Sequence, residues 1–149
     1  MQKENLDSNT LSVIMITYGH EKFIRQAVEG VLMQECNFKV ELIIANDASP
    51  DKTSEIVHEI IKTKPNGSRI KFINRNNNIG GQKNFEDAFK QCKGKYIAHC
   101  EGDDYWTEPY KLQKQINFLE TNPDYVLTFH KVKILRPDGN FVDDFITKI

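Results

Sequence analysis

The chain has 149 residues, with 20 Lys and Arg against 21 Asp and Glu, for a formal net charge of -1. Its length suits one domain with a single core, and its balanced charge excludes the polycationic surface expected of a nucleic-acid-binding protein. The longest apolar runs are far shorter than the ~20 residues of a transmembrane segment. Residues 1–9 also lack the basic start and apolar middle of a secretion signal, so the sequence predicts a cytoplasmic protein.

The three cysteines, Cys36, Cys92 and Cys100, are an odd number without CxxC spacing and without histidines at metal-ligand spacing. This pattern excludes a zinc site and a disulfide framework. Cys92 and Cys100 fall on apolar faces of predicted elements, and we expect both to be buried, reduced thiols.

The predicted domain organisation is a polar N-terminal tail over residues 1–10 followed by one domain over residues 11–149. From Leu11 onwards, short β-rich runs alternate with segments of helical period, which is typical of βαβ units around a mostly parallel sheet with helices on both faces. The first two predicted strands are almost wholly apolar, as strands covered on both faces should be. The four strand predictions are Leu11–Ile16, Val40–Ala45, Arg69–Asn74 and Lys95–Cys100.

The helix predictions rest on apolar pairs spaced three and four residues apart. The first helix carries Phe23 to Leu32. The second begins near Ser49, with Pro50 in its first turn, and the third carries Phe85 to Cys92 and ends before Gly94. A fourth is expected over 109–120, followed by an extended segment over 125–135 and a turn over 137–139.

In an open parallel sheet, ligands bind beyond the carboxyl ends of the strands, where strand order reverses. If the chain starts in the middle of the sheet, its first and fourth strands flank that point and its second strand lies next door. Asp47 and the segment 101–104, Glu-Gly-Asp-Asp, would then converge. Two carboxylates ~4 Å apart repel by about 4 kcal/mol at an effective dielectric of ~20, so such a cluster attracts a cation or keeps a proton.

Mg²⁺ or Mn²⁺ suits such a cluster, because these ions prefer oxygen ligands and usually take one or two protein carboxylates together with substrate phosphates. The segment 17–21 lacks the glycines of a dinucleotide fingerprint and the Gly-Lys-Ser/Thr of a P-loop. A metal-bound diphosphate is therefore the hypothesis, with a solvated acidic loop as the alternative.

Five sequence blocks in this order resemble the inverting glycosyltransferases of family 2, which have the GT-A fold, a Rossmann-like architecture. The resemblance covers about residues 11–122. It implies a sugar-nucleotide-dependent glycosyltransferase of hexosyl-transferase type, with a divalent metal cofactor and a role in bacterial surface polysaccharide synthesis. The blocks are 11–18 (LSVIMITY), 41–51 (ELIIANDASPD), 78–84 (NIGGQKN), 94–97 (GKYI) and 101–106 (EGDDYW) with Pro109 and Leu112 following.

The resemblance also implies roles for individual residues. Tyr18 would pack on the nucleotide base. Asp47 would contact this base, which in the family is most often uracil. Asp103 matches the last acid of the family's Asp-x-Asp motif and would be the direct metal ligand, with Glu101 in place of the first Asp. The remaining nucleotide-site residues implied in this way are Thr17, His20, Lys83 and Gly102.

Three departures from the family pattern, of which Glu101 is the first, and several structural alternatives stay open. Asn46 replaces the first acid of the paired-acid turn, and Lys83 stands where the family usually has Arg, without its bidentate fork. Tyr18 could be a rim aromatic, Asp47 a capping acid and Lys83 a solvated helix charge. Trp106 is expected to be a packing residue rather than a sugar platform.

The implied partners are a nucleotide-sugar donor, probably UDP-linked, and a saccharide or lipid-linked saccharide acceptor, with no nucleic acid. The implied location is the cytoplasm, including the inner face of the membrane. No general base is assigned, because the family's base lies well downstream of the Asp-x-Asp motif, beyond residue 149. The alternatives are a non-catalytic nucleotide-binding module and a phosphoryl-transfer enzyme, although the latter would need an acid where Thr17-Tyr18 stands. Neither the donor sugar nor the oligomeric state follows from the sequence.

Overall fold

The computed structural model describes residues 7–144. The chain divides into two compact units, Met1–Gln113 and Lys114–Ile149. The first unit contains a four-stranded parallel sheet in the order β3-β2-β1-β4. Its strands are β1 (Asp7–Thr17), β2 (Lys39–Asn46), β3 (Ile70–Asn74) and β4 (Gly94–His99), and its helices are α1 (Ile24–Leu32), α2 (Thr53–Thr63) and α3 (Gly81–Phe89), with a 3-10 turn at Gly67–Arg69.

This topology confirms the predicted α/β class, and it meets the condition, set above, that the chain starts in the middle of the sheet. β1 pairs with both β2 and β4, so the carboxyl ends of the three strands lie side by side. The apolar runs of β1 and β2 explain their central positions, since Val13–Met15 and Leu42–Ala45 are fully buried. β3 and β4 lie on either side of this pair, and along both strands exposed residues alternate with less exposed ones.

β1 begins at Asp7 rather than at Leu11, so residues 7–10 of the predicted tail are strand; residues 1–6 of that tail lie outside the described residues. Backbone pairing explains the longer strand, because the Asp7 amide donates to the Lys93 carbonyl at 2.8 Å. The Asp7 carboxylate also accepts from the Thr10 hydroxyl at 2.7 Å. A polar sequence can therefore continue this strand past the apolar core.

Two helix boundaries also differ from the prediction. α2 begins at Thr53 and not near Ser49, because the side chains of residues 49–53 bond to the loop after β1, as described below. α3 ends at Phe89, and the amides of Gln91 and Cys92 close tighter turns onto the carbonyls of Ala88 and Phe89. Cys92 is accordingly half-buried beyond the helix, while Cys100 is 4% exposed.

Helix α4 (Lys111–Thr121) confirms the fourth helix prediction, and it spans the boundary between the units. In the second unit, β5 (Lys133–Leu135) and β6 (Phe141–Asp143) form an antiparallel hairpin around Gly139, whose φ is 83°. The turn prediction is therefore right. The extended segment predicted over 125–135 is a strand only in its last three residues, because only these find a pairing partner.

No helix within residues 7–144 combines the length and the apolar character needed to cross a membrane.

Candidate functional site

A cleft with a volume of about 190 Å³ lies at the carboxyl edge of the parallel sheet. It is built by the segments that follow β1, β2 and β4 and by the start of α3. Five of the seven predicted nucleotide-site residues line it, and they come from three separate stretches of the chain. The lining residues are Ile16, Thr17, Tyr18, His20, Asp47, Asn78, Gly80, Gly81, Asn84 and Glu101.

Tyr18 is the one large aromatic side chain of this lining, and it is 50% exposed. A half-exposed ring at the mouth of a cleft can stack on a planar ligand without losing the packing of the core. The geometry therefore suits a base platform.

Asp47 is 3% exposed and already serves the fold. Its two carboxylate oxygens accept hydrogen bonds from the backbone amides of Ile79 and Gly80, at 2.8 and 2.9 Å. These amides precede α3, where unpaired N–H groups need acceptors. Each oxygen keeps a free lone pair, so the capping role and a contact with a base N–H are compatible.

Asn46 is 1% exposed, and its neutral amide has a structural reason. Its NH2 group donates to the Asn74 side-chain oxygen at 2.8 Å, while its own oxygen accepts from the hydroxyl and the amide of Ser49. A carboxylate could not donate to Asn74. The departure from the paired-acid pattern therefore fits this chain's own hydrogen bonding.

The loop after β2 fixes the loop after β1 through three side chains that the sequence prediction missed. Ser49 Oγ accepts from the Gly19 amide at 2.9 Å, Thr53 Oγ1 from the His20 amide at 3.0 Å, and Asp51 Oδ2 from the Glu21 amide at 3.0 Å. The Thr53 hydroxyl in turn donates to Asp51 Oδ1 at 2.6 Å. The short polar residues after β2 were visible in the sequence as the start of a helix. Their hydrogen bonds to the loop after β1 were not predicted.

Asn78, Gly80, Gly81 and Asn84 also line the cleft without having been predicted as site residues. Asn84 is 1% exposed, and its NH2 group donates to the Ala45 carbonyl at 2.8 Å. It therefore ties α3 to the end of β2. All four residues belong to the family-like block 78–84, and this was the signal from which they could have been predicted as site residues.

Lys83 lies on the first turn of α3 and is exposed, outside the cleft lining. The hydrogen bond from Lys90 is the largest cause that lowers the pKa of Asp87, and the charge of Lys83 adds a small contribution. Lys83 thus lies on α3 between two residues of the cleft lining, Gly81 and Asn84, and its contact with a ligand is a proposal.

Gly102 is buried behind the cleft, and there is no room for a side chain larger than that of glycine at this position. A Cβ at this position would lie 2.6 Å from Thr17 Oγ1 and 2.9 Å from His20 Nδ1. Its amide donates to the Ile16 carbonyl at 3.0 Å, which continues the β1–β4 pairing past the end of β4. The acidic turn is thus held tightly against the end of β1.

Glu101 and Asp103 project from this turn on either side of Gly102. Glu101 is exposed at the cleft wall, and the Asp103 side chain is 46% exposed, with Oδ2 3.8 Å from His20 Nε2. Within residues 7–144, no group of three or more acidic, histidine or cysteine side chains is arranged as a preformed metal cage. One or two exposed carboxylates fit Mg²⁺ or Mn²⁺, which complete their coordination with water and phosphate oxygens.

Trp106 is 7% exposed and packs on α1, since its backbone leaves no space for a Cβ at Gly30. The packing interpretation of this residue is therefore confirmed. The Lys111 ammonium lies 3.9 Å from the centre of the Trp106 ring. Burial lowers the pKa of Lys111 to about 8, even though the ring attracts its charged form. Burial likewise raises the pKa of the Cys100 thiol to about 12, as expected for an inert thiol.

Lys111 should make the stability of the protein pH-dependent. Between pH 8 and 10.5 the unfolded chain holds a proton on this amine that the folded chain has released, so stability rises with pH across this window. Lys111→Met should remove that rise. Urea unfolding at pH 7, 9 and 10 would give the free energy of unfolding of the wild type and of the variant. The difference between the two tests the prediction, because the contributions of the other titrating groups cancel in it. Parallel pH profiles would contradict it.

Ala48, in the loop after β2, has a φ of 59°, the left-handed region that favours glycine. An alanine there costs about 1–2 kcal/mol. Glycine would remove this strain, but its more flexible unfolded chain would offset part of the gain. Ala48→Gly should therefore stabilise the fold by about 0.5–1 kcal/mol, measured by urea unfolding. The same change at Ala98, inside β4, should destabilise it. Equal effects at the two positions would contradict the strain at Ala48.

The fold and the cleft together define an α/β domain built on a parallel sheet, with a cleft at the carboxyl edge of that sheet. The profile of "Glycosyl transferase family 2" matches residues 12–143. The chain belongs to this family, which confirms the resemblance.

Two sequence relatives illustrate the similarity. An uncharacterised protein of Mycobacterium tuberculosis is 43% identical over 129 residues, covering 87% of this chain and 37% of that protein. The Escherichia coli enzyme named UDP-Glc:alpha-D-GlcNAc-diphosphoundecaprenol beta-1,3-glucosyltransferase WfaP is 36% identical over 111 residues, covering 74% of this chain and 41% of that enzyme. The chain thus spans about two fifths of the length of these relatives.

Solved structures give the same fold. TarS of Staphylococcus aureus, residues 1–349 with bound UDP, matches with a TM-score of 0.65 and 27% identity, over 76% of this chain and 33% of that one. A mannosyltransferase of Pyrobaculum calidifontis, in complex with GDP-Man and Mn²⁺, matches with a TM-score of 0.66 and 20% identity, over 73% of this chain and 32% of that one. The predicted GT-A fold is therefore confirmed.

Proposed function

We propose that this chain forms the donor-binding part of an enzyme that transfers a sugar from a nucleotide diphosphate, of the UDP-sugar class, to a hydroxyl acceptor. The observation that carries the proposal is the convergence of Tyr18, Asp47 and Glu101, each following a different strand, on one cleft. These side chains combine an aromatic platform, a hydrogen-bond acceptor for a base and a carboxylate beside the place where phosphates would lie. UDP in TarS and the UDP-Glc donor in the name of the E. coli relative support a uridine donor.

The proposed reaction depends on a divalent metal and inverts the anomeric centre. Asp103 would hold Mg²⁺ or Mn²⁺ directly, and Glu101 would bind the ion or its water. The ion would stabilise the charge that develops on the leaving diphosphate. Thr17 and His20 would shape the pocket, Lys83 would attract the donor electrostatically, and Gly102 would let the acidic turn approach the end of β1. The Mn²⁺ complex of the Pyrobaculum neighbour supports a divalent ion.

The proposed acceptor is a saccharide or lipid-linked saccharide of a surface polysaccharide pathway. The name of the E. coli relative, with its diphosphoundecaprenol-linked acceptor, supports this class. A lipid-linked acceptor would bring the enzyme to the inner face of the membrane from the cytoplasm. We assign no general base.

The test is the thermal stabilisation by UDP in Mn²⁺ and in EDTA. A ligand at 100 times its dissociation constant stabilises a protein by about 2.7 kcal/mol, so the extra affinity supplied by the metal appears as a higher melting temperature. Asp103→Asn should abolish the Mn²⁺-dependent increment. Asp7→Asn, the same chemical change at the amino end of β1, is the matched control and should keep it.

Equal UDP stabilisation in Mn²⁺ and in EDTA would contradict the metal assignment. Testing a panel of sugar nucleotides in the same assay would then identify the donor. Metal-dependent binding without any donor hydrolysis or transfer would favour the alternative, a non-catalytic nucleotide-binding module, which the neutral Asn46 makes worth testing.

A further inference from the structure

His20 is fixed in place from three sides. Its backbone amide donates to Thr53 Oγ1 at 3.0 Å, and its carbonyl accepts from the amides of Phe23 and Ile24, both at 2.9 Å, at the start of α1. Its ring nitrogen Nδ1 lies 3.2 Å from Thr17 Oγ1, and Gly102 packs against the same nitrogen. The ring therefore has little freedom to turn.

The opposite ring nitrogen, Nε2, faces the acidic turn. It lies 3.8 Å from Asp103 Oδ2, which is within ion-pair range and longer than a hydrogen bond. A carboxylate can only accept, so a favourable contact requires the hydrogen of the neutral ring on Nε2. Nδ1 is then the acceptor for the Thr17 hydroxyl. In this tautomer each ring nitrogen faces a matching partner, the Thr17 hydroxyl at Nδ1 and the Asp103 carboxylate at Nε2.

Asp103, in contrast, has a side chain that is 46% exposed. Within residues 7–144, the His20 ring is the one basic side chain with a nitrogen within 4.0 Å of the Asp103 carboxylate. An exposed carboxylate that must be ordered when an ion binds loses rotamer freedom at that step. A fixed N–H beside it reduces this loss, which is how hydrogen-bonded neighbours orient metal-binding carboxylates in general.

We propose that His20 is a positioning residue for Asp103. Its Nε2–H orients the carboxylate towards the cleft, so that the divalent ion of the donor complex meets a ligand that is already in place. This inference rests on the proposed function, in which Asp103 is the direct metal ligand. It assigns to His20 a task on the metal side of the site, in addition to its place in the lining of the nucleotide cleft.

Two substitutions that introduce an amide side chain test the contacts of the two ring nitrogens separately. The amide of His20→Asn stands where Nδ1 stood and can bond to Thr17, but it does not extend to Asp103. The longer His20→Gln places its amide nitrogen near the position of Nε2 and restores the N–H towards Asp103. Both variants keep the backbone contacts with Thr53, Phe23 and Ile24.

The experiment measures the apparent Mn²⁺ affinity of each protein at saturating UDP, from the electron paramagnetic resonance signal of free Mn²⁺. Loss of such an orienting partner typically weakens metal binding 10–100-fold. We expect a weakening in that range for His20→Asn and recovery to within a few-fold of the wild type for His20→Gln. Melting temperatures without ligand are measured as a control, to check that all three proteins are folded.

The outcomes distinguish this inference from the proposed function. If the wild type binds no Mn²⁺ with UDP, the metal site itself is wrong and the inference falls with it. If the wild type binds Mn²⁺ and His20→Asn binds it equally well, the metal site stands and the role of His20 is overturned. Gln and Asn variants that are weakened alike would also overturn it, because they would show a general effect of the substitution.

Discussion

Gly102→Ala is expected to lower the affinity for UDP at least 10-fold and to destabilise the fold by about 1–3 kcal/mol, as overpacked sites do. The added Cβ would lie 2.6 Å from Thr17 Oγ1 and 2.8 Å from Thr17 Cβ. Thr17 is 3% exposed and β-branched, so it has few rotamers with which to yield. The acidic turn must then move away from the end of β1, and with it Glu101 and Asp103. Calorimetric titration with UDP and urea unfolding measure the two effects.

Gly81→Ala is the matched control for the stability effect. Gly81 is the first residue of α3 and lines the same cleft, but a Cβ there would meet nothing within 4 Å. Because alanine is the better helix former, this variant should be at least as stable as the wild type. If Gly102→Ala were as stable as Gly81→Ala and bound UDP normally, the close approach of the acidic turn to Thr17 would not be a requirement of the site.

Asp47→Asn is expected to destabilise the fold by about 1–3 kcal/mol, because the NH2 group introduced at this 3% exposed position would be a buried donor without an acceptor. The two carboxylate oxygens accept from the Ile79 and Gly80 amides, and an asparagine can offer only one oxygen to this pair. Its NH2 group would face the other amide hydrogen. The segment before α3 would loosen, so UDP affinity should also fall. Urea unfolding and UDP titration test both effects.

Asp7→Asn provides a comparison with the same change in chemistry. The Asp7 carboxylate is also bonded to a backbone amide and a neighbouring hydroxyl, at Asn9 and Thr10, but it is exposed and water can replace the lost acceptor. The Asp7→Asn substitution should therefore lower the free energy of unfolding by less than about 1 kcal/mol. Should Asp47→Asn be as mild as Asp7→Asn, the capping role of Asp47 would be refuted.

The fold was predictable from the sequence to the extent that burial determined it. The apolar runs of β1 and β2 predicted strands covered on both faces, and the places of β1, β2 and β4 in the sheet were predicted on the condition that the chain starts in its middle, as in doubly wound folds. The polar start of β1 at Asp7 was not predictable in this way. Its strand conformation depends on pairing with residues near Lys93, which lie more than 80 positions away in the chain.

The site was predictable in its main members and not in its connections. Tyr18, Asp47 and Glu101 follow strands, and the geometry of a parallel sheet brings such positions together. The contacts of Ser49 and Thr53 with the loop after β1 depend on how two loops approach one another, which residue spacing does not determine. The same holds for Gly102, whose small size matters only because Thr17 and His20 lie against it.

The central claim, that Mn²⁺ and UDP bind together at the carboxyl edge of the sheet, is tested most directly by paramagnetic broadening of backbone amide signals. With Mn²⁺ and UDP both present, we predict broadening of the amides of Gly102, Asp103 and Asp104, together with those of Thr17 and Tyr18. The amides of Asp7 and Lys93 lie at the amino edge of the sheet, and their signals should stay sharp. Broadening centred on Asp7 and Lys93, or none that depends on UDP, would contradict the account.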